Sequence, residues 1–197
     1  TQDGRTVLFV SHQMSAVSSL CTSAMRLKNG EIVKSGQVND VIGDYLVDAS
    51  GDPERLGMDL RDFKTRKGGG ELFILEAEIA AYGNGLPLAT PRMVDAMTVR
   101  FKVENRAAFP AERVRFSVCF KTITGQRVVH VSDEDDHFLL PSKPSVWIEV
   151  EFPMLQIYPG RYTLTLWVGS ESYNTFDYGE ECIVFEVGQP STSPRAF

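Results

Sequence analysis

The C-terminal two-thirds of the chain alternates apolar and polar residues with a period of two. Seven segments show this pattern from Glu71 onward, with turn-like residues such as YGNG, TITGQ and IYPGR between them. The segments are LFILEAEIAAY, MTVRFKVEN, VRFSVCFKT, QRVVHVS, SVWIEVEF, RYTLTLWV and CIVFEV. Because successive side chains of a β-strand point to opposite faces, this period predicts seven strands, each with one buried face.

The apolar members of each segment define that buried face. In three segments they are Met97, Val99, Phe101 and Val103; Val146, Ile148, Val150 and Phe152; and Tyr162, Leu164, Leu166 and Val168. Seven short strands with this spacing are typical of an immunoglobulin-like antiparallel β-sandwich of about 100 residues. We therefore predict such a sandwich over residues 71–190, followed by a tail over 191–197.

The first 48 residues have a different character and predict a partial α/β segment. TVLFV is a short continuous apolar run, the pattern of a strand covered on both faces. Helical spacing follows from Met14, and Asn29–Gly30 between two β-like runs predicts a hairpin. A second helical stripe begins at Val38. Residues 49–70 have no apolar period and predict a linker that ends in a flexible run of glycines.

Composition restricts the class of protein. The net charge of −6 argues against a nucleic-acid partner, which would need a basic face. No apolar run approaches the roughly 20 residues that span a bilayer, and the N-terminal sequence is not a signal peptide. Three cysteines at unrelated spacings favour buried packing thiols over disulfides or a metal site. These features predict a cytoplasmic protein without an anchor of its own.

The first segment resembles the C-terminal end of an ABC-transporter nucleotide-binding domain. The resemblance rests on VLFVSH, on MSAVSSLCTSAM and on RLKNGEIVKSGQVNDVIGDYL, within residues 5–47. The second segment is similar to the C-terminal carbohydrate-binding domain of ABC ATPases that export O-antigen and related polysaccharides. That similarity rests on GGGELFILEAEI, the ITGQ turn, LQIYPGRYTLTL and the closing FEV.

Together the two resemblances imply the C-terminal part of the ATP-binding subunit of a polysaccharide exporter. They imply a sandwich that binds the exported glycan and couples its recognition to ATP-driven export. The implied partners are the polysaccharide, a transmembrane permease and a second copy of the subunit, in some family members through an exchanged terminal strand. The implied location is the cytoplasmic face of the membrane, through the permease.

The resemblance also gives His12 a role, as the switch histidine that reads the γ-phosphate in the intact ATPase. The sequence contains no GxxxxGK[ST] loop and no LSGGQ-like stretch. A phosphate loop works by presenting backbone N–H groups and a lysine to the phosphates. We therefore expect ATP and Mg²⁺ to belong to the longer parent protein, with no cofactor and no ATP hydrolysis for this chain alone.

Sugar binding requires outward aromatic rings flanked by hydrogen-bonding groups, and both tryptophans fall out of phase with the predicted core. If VRFSVCFK and RYTLTLWV are neighbouring strands, Trp167 shares an outer face with four polar residues, namely Arg115, Ser117, Lys121 and Thr165. Trp147 should lie on the other sheet near Arg100 and Lys102. A loop after Trp167 offers Tyr173, Asn174 and Phe176.

Alternatives remain for each of these candidates. A loop, the linker or a dimer partner could cover either tryptophan, and Arg115 and Lys121 could form a solvated face. His130 fits a half-buried, satisfied imidazole, and the DEDD run at 133–136 fits a solvated acidic loop better than a metal or catalytic site. For the whole chain, the alternatives to glycan recognition are a non-binding sandwich used for dimerisation or docking to the permease and, with less support, an enzyme acting on the sugar.

Overall fold

The structure is a computed structural model. It describes residues 6–11, 14–50, 57–64, 66–83, 85–108, 114–133, 139–141 and 143–190. His12 lies outside these ranges, so its predicted role stays a prediction. No helix in the described part of the chain combines the length and apolarity needed to cross a bilayer.

The N-terminal segment consists of two helices around a hairpin. Its elements are α1 (Met14–Leu20), β1 (Ser23–Lys28), β2 (Glu31–Gln37) and α2 (Val38–Ser50). Asn29 and Gly30 join β1 to β2 with φ values of 52° and 85°, the left-handed pair that a tight two-residue hairpin requires. The predicted hairpin is confirmed, whereas the strand predicted for TVLFV does not form. Residues 6–10 pair with no described strand, and Leu8 and Val10 are 80% and 90% exposed.

The described residues between 57 and 187 form two antiparallel sheets. Their strands are β3 (Gly57–Asp59), β4 (Leu72–Gly83), β5 (Leu86–Leu88), β6 (Ala96–Asn105), β7 (Val114–Thr122), β8 (Arg127–Ser132), β9 (Ser145–Phe152), β10 (Gly160–Ser170) and β11 (Thr175–Val187). One sheet has the order β11-β10-β7-β8, and the other has β3-β4-β6-β9 with β5 paired to β4. All seven predicted strands are present, so the predicted mainly β sandwich is confirmed.

The core lies between the two sheets and contains the inward sets that the alternation predicts. Phe101, Phe120 and Leu164 are fully buried there. The Phe120 ring contacts Phe152 and Phe185, with centroids 5.3 and 5.2 Å away. Burying each such side chain stabilises the fold by about 1.5–3 kcal/mol.

The end of the predicted linker is part of the sandwich rather than a flexible connection. The backbone amides of Lys67, Gly69 and Gly70 donate to carbonyls of Tyr178, Thr175 and Phe176, at 3.2, 3.1 and 2.8 Å. This pairing follows β11 along its free side. Glycine makes it possible because a side chain at Gly68 would collide with the Phe176 carbonyl. The division of the chain into domains stays a prediction.

A second, smaller hydrophobic cluster joins the N-terminal helices to the sandwich. Met14 of α1 and Val38 and Ile42 of α2 are buried, and the partly buried Ile123 and Val184 pack against them. A Cβ at Gly43 would lie 2.6 Å from a guanidinium nitrogen of Arg161, so the Arg161 side chain of β10 reaches α2. The helices therefore rest on one end of the outer face of the four-stranded sheet.

We predict that one of the three cysteines reacts rapidly with a thiol reagent in the folded chain. Cys119 and Cys182 are buried, and burial raises the pKa of the Cys182 thiol to about 12 and also raises that of Cys119. Only the thiolate is nucleophilic, so both should be inert. Cys21 is partly exposed. Ellman's reagent should therefore titrate one thiol in the native chain and all three in guanidinium. The Cys21→Ser variant should lose the native signal, and rapid labelling of Cys182 would contradict the buried position of β11.

Candidate functional site

The register of β7 against β10 determines which side chains share the outer face of the four-stranded sheet. Trp167 lies opposite Ser117, Gly169 opposite Arg115 and Thr163 opposite Lys121. The alternate residues Phe116, Val118 and Leu166 point into the core. The prediction that Trp167 shares one outer face with the polar residues of β7 is therefore confirmed.

The Trp167 ring lies in a fixed position on this face and is partly exposed. Its Nε1–H donates to Thr175 Oγ1 at 3.0 Å. The ring crosses Gly169 so closely that a Cβ there would lie 2.1 Å from a ring carbon. Tyr173, which is exposed, stacks on it with a centroid distance of 6.4 Å and an angle of 29°. Tyr178 is the cross-strand neighbour of Trp167 on β11. We call Trp167, Tyr173 and Tyr178 the platform.

Ion pairs surround the platform. Arg115 Nη2 lies 2.6 Å from Glu171 Oε1. Lys121 and Lys67 share Glu180, with N–O distances of 2.9 and 3.6 Å. The predicted alternative of a freely solvated face is wrong for Arg115 and Lys121, whose side chains are only 16% and 14% exposed.

The Lys121–Glu180 pair is charged at neutral pH. Burial alone would lower the pKa of Lys121, but the hydrogen bond to Glu180 raises it overall. Burial would likewise raise the pKa of Glu180, but Lys121 and Lys67 lower it overall. Lys121 and Glu180 therefore present charged groups beside the platform, and each fixes the position of the other.

Two predicted contact residues prove to be buried. Phe176 is 4% exposed and belongs to the core, because β11 begins at Thr175, within the stretch predicted as a loop. Thr165 is 3% exposed, and its hydroxyl accepts a hydrogen bond from the Glu181 amide at 3.0 Å. The pairing of β10 with β11 shifts register here, and Glu181 has a φ of 54°. This bulge covers Thr165. Because Thr165 and Phe176 are both buried, neither can contact a ligand from the outer face.

Sequence reasoning missed four residues of the site: Lys67, Glu171, Tyr178 and Glu180. The bulge interrupts the period of two in β11, so the strand looked shorter than it is. Lys67 reaches the site only because the glycine-rich segment pairs with β11. Alternation alone would have placed Tyr178 on the same face as the buried Phe176, but β11 carries one extra residue between Thr175 and Asp177, which turns Tyr178 outward.

Residues 64–197 match the family described as the Wzt C-terminal domain. The chain belongs to this family. Among curated proteins, it is 41% identical over 112 residues to the teichoic acids export ATP-binding protein TagH of Bacillus cereus, which covers 53% of this chain and 18% of that protein. A 42-residue match of 45% identity to the methionine import ATP-binding protein MetN of Streptomyces avermitilis covers 21% of this chain and 12% of that protein. The chain thus spans less than a fifth of either relative.

The solved structure of the C-terminal domain of Wzt is similar to this chain, with a TM-score of 0.52 and 13% identity. The match covers 70% of this chain and 90% of the Wzt domain structure, which supports the β-sandwich fold. The family match and the export relative confirm the resemblance to the C-terminal part of the ATP-binding subunit of an ABC exporter.

In this member of the Wzt C-terminal domain family, the second tryptophan lies on the opposite sheet. Trp147 of β9 pairs with Lys102 of β6, and Arg100 and Lys102 lie 5.0 and 5.8 Å from its ring centroid. The predicted neighbours of Trp147 are therefore confirmed. Its ring is 41% exposed, and the described residues leave it accessible.

Other predicted positions have structural explanations. His130 is exposed on β8 rather than half-buried. Asp133 accepts a hydrogen bond from the Phe116 amide at 2.8 Å, and the rest of the acidic run lies outside the described residues. Asn174 closes the turn before β11, where its backbone N–H donates to Ser170 Oγ at 3.2 Å. Within the described ranges, no group of three His, Cys, Asp or Glu side chains could hold a metal ion.

Proposed function

We propose that this chain recognises the exported glycan in the ATP-binding subunit of a polysaccharide exporter, and that the platform binds the glycan. The observation that carries the proposal is the partly exposed Trp167 ring, which Thr175 and Tyr173 hold in place. A pyranose ring has an apolar C–H face and hydroxyls at its edge. An immobilised aromatic surface beside charged hydrogen-bonding groups suits both parts.

The family and the export relative support the proposed cargo class and partners. The proposed cargo is the O-antigen of lipopolysaccharide or a related glycan, with teichoic acid included because the relative TagH is named for its export. The proposed partners are the membrane permease and a second copy of the subunit, at the cytoplasmic face of the membrane. ATP and Mg²⁺ would bind the parent ATPase, with His12 as its switch histidine.

We predict that Trp167→Ala weakens glycan binding at least tenfold, because it removes the largest stacking surface of the platform. The measurement is calorimetric titration of the chain with lipid-free O-antigen oligosaccharides and with teichoic acid. Tyr158→Ala is the matched control, since Tyr158 is an exposed aromatic residue in the segment before β10, nine residues from Trp167 in sequence. Circular dichroism should show unchanged folding for both variants. Equal affinities for native and Trp167→Ala chains would refute the platform.

A second candidate function is a non-binding sandwich for dimerisation or docking to the permease. It is favoured by β8, which lies at the edge of its sheet and leaves Val128 and Val131 each 39% exposed. Edge strands are sites where another chain can pair. A stable dimer by light scattering, together with no binding of any glycan tested, would select this function over the first.

A further inference from the structure

A groove crosses the outer face of the five-stranded sheet, on the side of the sandwich opposite the platform. Its volume is about 380 Å³, and it is lined by Gly57–Asp59, Glu76–Ile79 and Trp147. This volume falls within the roughly 300–1,000 Å³ of small-molecule sites. Nothing in the Trp167 proposal requires this groove.

The groove exists because β3 is short and contains a glycine. β3 pairs with β4 over three residues, so that Asp59 lies opposite Glu76 and Gly57 opposite Glu78. Asp59, Glu76 and Glu78 therefore project from the same face. Gly57 has no side chain to fill the space beside Glu78, and a Cβ there would already touch the Glu78 Cβ at 3.4 Å.

Ion pairs hold each carboxylate of the groove in place. Glu78 Oε1 lies 2.7 Å from Arg100, and Glu76 Oε1 lies 3.2 Å from Lys102. Asp59 Oδ2 lies 2.6 Å from Arg61. Since Arg100 and Lys102 also lie against Trp147, the ring and two carboxylates are positioned by the same two cations. Such preorganisation lowers the entropic cost of binding.

The paired charges indicate the chemistry of the occupant. Each lining carboxylate is paired with a cation, although Arg100 is shared between Glu78 and Glu149, which lies 3.3 Å from it, so the groove offers strong acceptors whose charge is largely balanced. A carboxylate can accept several hydrogen bonds, and bonds to a charged acceptor are stronger than neutral ones. The Trp147 ring adds an apolar surface beside these acceptors. A neutral, hydroxyl-rich ring with an apolar face fits both features.

We propose that this groove is a second sugar-binding site, which takes a neutral pyranose unit. The hydroxyls of the sugar donate to Glu76, Glu78 and Asp59, and its C–H face packs on Trp147. A chain with sites on opposite faces can hold a long polymer at two points, which increases the apparent affinity through effective concentration. An oligosaccharide too short to reach both faces gains nothing from the second site.

The test uses the fact that the chain has only two tryptophans. Labelling with 5-fluorotryptophan gives two fluorine resonances, which Trp147→Phe and Trp167→Phe assign. The probes are the methyl pyranosides of glucose, mannose, galactose and N-acetylglucosamine. We expect at least one of them to shift the Trp147 resonance saturably, including in the Trp167→Phe chain. Glu78→Gln should weaken this binding about fivefold or more, because a charged acceptor becomes neutral.

Glu151→Gln is the control, since Glu151 is exposed on β9 two positions beyond Glu149 and four beyond Trp147. Equal weakening by Glu78→Gln and Glu151→Gln would overturn the proposal. It would also fall if none of the four glycosides moved the Trp147 resonance, or if that resonance changed with protein concentration alone, because a second copy would then cover the groove. If sugar shifted the Trp147 resonance and no glycan shifted the Trp167 resonance, the groove would be supported as a sugar site and the platform would be rejected.

Discussion

Replacing Arg66 with alanine is expected to lower the free energy of unfolding by about 3–5 kcal/mol, the usual cost of leaving one partner of a buried ion pair alone. The Arg66 guanidinium contacts the Asp177 carboxylate and the Leu60 carbonyl, donates to the Ile74 carbonyl at 3.0 Å and stacks on Phe73 at 3.7 Å. Asp177 is 1% exposed, so water cannot replace the lost cation. Urea unfolding of the native and variant chains measures the difference.

Arg61→Ala is the matched control. Arg61 also pairs with an aspartate, Asp59, but both side chains are more than half exposed. Exposed pairs contribute little to stability because water screens them, so this variant should unfold almost as the native chain does. If Arg61→Ala and Arg66→Ala lowered the free energy of unfolding by similar amounts, burial of the Arg66–Asp177 pair would not explain its contribution to stability.

The effect of Arg66→Ala should depend on pH with a definite sign. Burial raises the pKa of the Asp177 carboxyl, and Arg66 opposes that rise. Without Arg66 the pKa should rise further. A raised folded-state pKa favours the fold at low pH and loses that contribution as pH rises through it. Native and variant chains should therefore differ least in acid, where Asp177 is protonated in both, and most above the higher of the two pKa values.

The Gly68→Ala variant is expected to lose about 3 kcal/mol or more, because its Cβ has no space and its backbone is strained. The new Cβ would lie 2.4 Å from the Phe176 oxygen and 2.8 Å from the Asp177 nitrogen, both backbone atoms of β11 that cannot rotate away. The φ of 131° is a conformation that side chains disfavour. Urea unfolding of the chain measures the loss, and glycan titration should show weaker binding because Lys67 leaves Tyr178.

Gly70→Ala separates the collision from the backbone strain. Gly70 has a φ of 84°, but no atom lies within 4 Å of the position that a Cβ would take, so only the left-handed backbone is penalised. That penalty is about 1–2 kcal/mol. If the two alanine variants lost equal stability, the close contact between Gly68 and β11 would be contradicted.

The sequence predicted the sandwich and one face of its site because both depend on the period of two. The alternation in β7 and β10 was enough to place Trp167 beside Ser117 on an outer face, and it did. Thr165 was misjudged because the irregular pairing near Glu181 covers it, and Phe176 because β11 begins at Thr175, in a stretch that looked like a loop. Lys67 could not be found at all, since its place depends on a glycine-rich segment pairing with a distant strand. The groove at Trp147 likewise depends on β3, three residues inside a stretch without any apolar pattern.

The contact between α2 and the sandwich has a mechanical consequence. Val184 of β11 packs against the cluster that contains Ile42, and its cross-strand partner Thr163 is four residues from Trp167 on β10, which corresponds to about 13 Å of strand. β10 is hydrogen-bonded along both sides, to β7 and to β11, so it can neither stretch nor bend freely. We therefore expect a tilt of α2 to displace Trp167, because β10 runs without a loop between the cluster and that residue.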